Sequence, residues 1–148
     1  VNVSSCQEFF PAAWSSIMTE ATITPVYAAI LTLAYVWLSL RVPRLRLKHR
    51  VGIGDGNVPE LARAIRVHGN FAEYVPLALL MLYFTETAGG SPWFIHALGL
   101  TLLLARGLHA YGLNKTAEAS PPRFLGTVLT FFVLSAAALM TLFARLGT

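Results

Sequence analysis

The chain has 148 residues, 55% of them hydrophobic and only 12% charged, with a formal net charge of +4 and a mean hydropathy of +0.60. A soluble domain carries about 25% charged residues, so an ordinary water-soluble fold is excluded. One cysteine rules out a disulfide framework within the chain and a multi-cysteine metal site, and no metal is expected. The basic residues lie beside long uncharged segments, which reads as membrane topology and not as a nucleic-acid surface.

Residues 1–20 lack the basic start of a secretory signal and contain Cys6, expected to be an unremarkable thiol. Met18 directly precedes the first apolar run and is the expected native start, which makes the residues before it an extension. A single four-span domain is expected over 21–148. Residues 21–40 form twenty positions without a charge, enough at about 1.5 Å per residue to cross a hydrocarbon core of about 30 Å. Pro25 falls in the first turns, where its missing N–H is tolerated. Arg41, Arg44, Arg46, Lys48 and Arg50 follow within ten residues and predict a positive-inside loop. The glycines at 52, 54 and 56 lack the Lys-Ser/Thr of a phosphate loop and read as a tight connection.

The second span is expected over about 58–85, with Pro59 in the first turn and Pro76 as a kink that frees a carbonyl around Ala72. Its first half carries Arg63, Arg66, Asn70 and Glu73, which at about 100° per residue share roughly 80° of one face. Tyr74 lies at the edge of this stripe and His68 points to the opposite side. Ionisable groups inside a membrane helix cost several kcal/mol unless they pair or face a polar cavity. The stripe is therefore either a buried interhelical ion-pair network or a binding site for something zwitterionic.

A third span is expected over 93–111, with His96 near its start. Arg106 and His109, three residues apart, share a face near its far end. The fourth span, over 124–144, is free of charge and is preceded by Arg123. The connection after the second span has no Lys or Arg, whereas those after the first and third do. The positive-inside rule then places both termini outside the cytoplasm. The stripe, Arg106/His109 and Arg123 fall in one layer at the cytoplasmic ends of three helices. Four short spans enclose little volume, so a ligand site at this depth calls for neighbouring subunits.

The series Glu60, Arg63, Arg66, Asn70, Glu73, Tyr74 and Pro76 resembles the signature of the membrane-associated proteins in eicosanoid and glutathione metabolism. The resemblance covers about 21–144 and is nearest to the small bacterial inner-membrane branch, through Gly54-Asp55-Gly56 and the Arg106, His109, Tyr111 pattern. It implies an all-α integral membrane four-helix bundle that assembles as a homotrimer, with glutathione as co-substrate at the subunit interfaces. It further implies that Arg66, Asn70, Glu73 and Tyr74, with Arg63 beside them, hold the tripeptide, and that Arg44 or Arg46 joins from a neighbour. Arg123 resembles the family's sulfur-side arginine, Arg106 is the alternative cation, and His109 occupies a position that is Tyr or His in the family. Leu113 stands where an aromatic residue is expected.

The residue types suit that ligand. Arginine binds a carboxylate through paired hydrogen bonds, Glu73 can take an ammonium, and a nearby cation raises the thiolate fraction of a thiol. The expected partners are further copies of the chain, glutathione, membrane lipid and a lipophilic second substrate. The expected activity is glutathione conjugation to, or reduction of, lipophilic electrophiles or hydroperoxides. The alternatives are a non-catalytic binding or scaffold protein that retains the fold and, less favoured, a small transporter.

Overall fold

The computed structural model describes residues 21–116 and 118–147. Residues 1–20, with Cys6 and the expected start at Met18, lie outside the described residues. Four helices follow one another: α1 (Thr24–His49), α2 (Pro59–Thr87), α3 (Pro92–Lys115) and α4 (Pro121–Leu146). Each has proline at its first or second position, where the fixed φ suits the helix and the missing N–H would be unpaired anyway. No strand occurs among the described residues.

Short connections make neighbouring helices antiparallel. α3 and α4 pack most extensively, α2 touches all three others, and α1 packs on α2 and α3 without touching α4. Gly126 explains the closeness of α3 and α4: a Cβ there would stand 2.5 Å from the carbonyl oxygen of Ala105 and 2.7 Å from the amide of His109. The core is a layer of Leu31, Phe71, Leu82, Leu102 and Val133. Outward faces are apolar, with Leu33, Phe124 and Phe143 each at least 70% exposed, an arrangement suited to lipid and costly in water. By length and composition α1, α3 and α4 are able to cross a membrane. The protein is an all-helical integral membrane bundle.

One expected loop is helix. Residues 41–49, expected in a positive-inside loop, continue α1 through Pro43 to His49. Leu45 gives this extension something to bury, packing with Leu61 and Ala64 of α2, and Arg41 Nη1 donates to Asn114 Oδ1 of α3 at 2.6 Å. The helix stops at Arg50, whose left-handed backbone (φ 56°) lets its N–H cap the carbonyls of Arg46 and Leu47. Gly54, Gly56 and Asn57 also have positive φ, so the link to α2 is the tight connection its glycines imply. α2 remains one helix through Pro76.

Candidate functional site

The polar stripe of α2 straddles the border between the bundle interior and its surface. On the outer edge, Arg66 Nη1 lies 3.5 Å from Glu73 Oε1, and both side chains are more than half exposed. On the inner edge, Asn70 Oδ1 accepts from Arg106 Nη2 at 2.6 Å, and Tyr74 stacks its ring 5.7 Å from that of Phe131 on α4. Arg63 is half-buried on the same helix. The four charged and amide residues do share a face, but only half of that face meets α3. His68 points the other way, with Nε2 3.0 Å from Ser39 Oγ and its ring 5.0 Å from that of Tyr35.

Arg106 is the centre of the interior half. It is 3% exposed, yet its hydrogen-bond partners are all uncharged. Nη2 donates to Asn70 and, more weakly at 3.4 Å, to His109 Nδ1. Nη1 donates to Thr130 Oγ1 of α4 at 3.3 Å. The hydroxyl of Thr130 gives its own proton to the Gly126 carbonyl at 2.7 Å, which leaves its oxygen free to accept. The guanidinium carbon lies 5.8 Å from the ring centroids of both Phe71 and Tyr74, within cation–π range. Nε is buried without a partner. The site thus holds a cation in the bundle by neutral oxygens and ring faces, an arrangement that favours a negative group nearby.

His109 is also buried and sits in the fields of Arg106, Arg123 and Arg66. Arg123 is half-buried in the first turn of α4, lining a cleft of about 260 Å³ with Ser120, Phe124 and Thr127. Arg46 donates to the Gly52 carbonyl at 3.2 Å and shares a second cleft, of about 400 Å³, with Asp55, Arg66 and Gly69. Arg44 is exposed. Within the chain, then, Arg46 and Arg66 lie on one cleft, Arg106, Asn70 and His109 form an interior cluster, and Arg123 borders its own cleft at the α3–α4 elbow. Leu113 is buried.

The sequence model of the MAPEG family matches residues 24–143, all four helices included. The chain belongs to the MAPEG family. Two relatives are both named inner membrane protein YecN, from Escherichia coli strain K12 and from strain O6:H1. Each is 40% identical over 92 residues, covering 62% of this chain and 70% of the relative. Their name states a location and no activity.

Sequence reasoning overlooked two polar residues. Thr130 lies in the charge-free fourth span, where a threonine usually bonds only the carbonyl one turn back. Glu86, read as part of a turn, is 7% exposed and caps α1. Its Oε1 accepts from the amides of Thr22 and Ile23 at 2.7 Å, and its Oε2 from that of Thr24 at 2.8 Å. The signal available was negative: Ile23, the N-cap, has no side-chain acceptor. At the same end of the bundle, His96 is hydrogen-bonded through Nδ1 to Tyr27 at 3.0 Å.

Proposed function

We propose that this MAPEG member is a glutathione-dependent enzyme of the bacterial inner membrane, conjugating glutathione to, or reducing with it, lipophilic electrophiles or hydroperoxides. The observation that carries the reading is the outer half of the stripe. Arg66 and Glu73, of opposite charge and more than half exposed, flank Asn70 on a helix of a membrane bundle. Such groups need a polar cover at that depth, and glutathione, with two carboxylates and one ammonium, matches them in sign. Cover from neighbouring copies completes the site, so the assembly in this reading is a homotrimer. Arg44 or Arg46 supplies a further cation from the first connection.

For the thiol, Arg123 is the activating cation in this proposal, because Arg106 spends both Nη groups inside the protomer. A guanidinium beside the sulfur favours thiolate without exchanging a proton. The test is turnover of an aromatic electrophile, combined with titration of thiolate absorbance for bound glutathione in wild type and Arg123→Met. The expected result is a thiol pKa below the free value in wild type and a return to it in the variant with binding retained. A second reading, glutathione binding without catalysis, is favoured by the burial of His109 and Arg106, and a normal thiol pKa in the wild-type complex selects it. Both termini are outside the cytoplasm in this proposal. In a variant lacking Cys6, a cysteine at Gly147 is expected to label from outside intact cells and one at Lys48 is not.

A further inference from the structure

The Asn70 side chain is held in one orientation by chemistry, not merely by packing. Arginine has five N–H donors and no acceptor, so the Asn70 atom lying 2.6 Å from Arg106 Nη2 is the amide oxygen. Turning the amide over would set N–H against N–H. Arg106 is itself held from the other side by Thr130, whose proton is committed to Gly126, and by the Phe71 and Tyr74 rings. The Asn70 Nδ2 group has no partner among the described residues. It belongs to a partly exposed residue about 40° around the helix from Arg66 and about 60° from Glu73.

We infer that Arg106 is a positioning residue: with Thr130 behind it, it makes Asn70 a pure donor toward the outer stripe, so that the site accepts a carboxylate or peptide carbonyl over Asn70 and rejects a donor there. The polarity along the stripe is then fixed. Arg66 and the Asn70 amide both receive the acceptor end of the ligand, and Glu73 receives its ammonium. Arg106 acts at one remove, and its charge also reinforces the two Nδ2 protons by drawing on the amide oxygen. The inference rests on the glutathione reading for the identity of the ligand, but not for the orientation of the amide.

Asn70→Asp separates these parts. The new carboxylate keeps an oxygen on Arg106, gains an ion pair, and turns its second oxygen onto the stripe where two donors stood. In detergent-solubilised full-length protein, Asn70→Asp is expected to unfold at or above the wild-type temperature and Asn70→Leu below it. By calorimetry with glutathione, Asn70→Asp is expected to bind about tenfold more weakly than Asn70→Ala, since it replaces a lost hydrogen bond by repulsion. Arg106→Met, which leaves the amide free to turn, is expected to lose about tenfold in affinity. Arg106→Lys, again donors only, recovers most of it. Melting of Asn70→Asp as low as Asn70→Leu overturns the orientation. Binding by Asn70→Asp as tight as by Asn70→Ala, or equal losses in Arg106→Lys and Arg106→Met, overturns the positioning role. Absence of glutathione binding in wild type removes the functional reading instead, and the order of melting temperatures then decides the orientation alone.

Discussion

Among the described residues, Glu86 is buried at one end of the bundle and Arg106 towards the other, and the fold treats them differently. At one end Glu86 accepts three backbone amides from the start of α1, so its charge meets the positive end of a helix and its oxygens are occupied. At the other end Arg106 donates only to neutral acceptors, lies against aromatic rings with the Glu73 carboxylate within electrostatic reach, and leaves Nε without a partner. A closed polar group of the first kind serves the fold. An open one of the second kind lies in the interior beside an exposed Arg66–Glu73 pair.

The comparison breaks most readily at Glu86. Glu86→Ala is expected to destabilise the protein by about 3 kcal/mol, because it removes the charged acceptor of three helix-start amides, that of Thr24 buried, and to leave glutathione affinity per folded molecule unchanged. Thermal unfolding in detergent, followed by calorimetry on the folded fraction, checks both halves; weakened binding with intact stability would reverse the roles given to the two ends. Arg66→Ala and Glu73→Gln are expected to do the opposite. Each should cost about ten- to a hundredfold in glutathione affinity, the loss of a charged hydrogen bond, while an exposed pair contributes at most about 1 kcal/mol to stability. Unchanged binding in both would turn the outer stripe into an ordinary surface ion pair. His68→Ala sharpens the boundary. It removes the contact to Ser39 on the α1 side of α2, so glutathione affinity should change less than about twofold, since no charged contact is lost; a loss as large as that of Arg66→Ala would extend the site around the helix.

The four helices were legible from their long uncharged runs, with Pro25 and Pro59 marking the first two starts, while Pro92 and Pro121, which open α3 and α4, read as parts of the connections. The length of α1 was not, since a run rich in arginine and lysine at a membrane surface reads the same whether coiled or helical. Leu45, whose burial against α2 decides it, is only one apolar residue among many. Helical spacing likewise found the stripe but could not divide it. A face about 80° wide has an inner and an outer edge, and which edge meets α3 depends on the rotation of α2 in the bundle. Glu86 was hidden by distance along the chain, for its partners lie 62 to 64 residues away and no local pattern announces them.

That separation bears on how the chain is built. The first amides of α1 acquire their side-chain acceptor only after residue 86 has been synthesised, when all of α2 but its last residue is made. Until then the leading turn of α1 depends on water or lipid headgroups to satisfy its donors. The first two helices therefore settle as a pair, with the carboxylate acting as the clasp that closes the hairpin, and α1 on its own is an unfinished product. A ribosome stalled shortly before Glu86 would hold a nascent chain whose first helix still frays at its start, and one stalled well beyond it, a chain whose hairpin has locked.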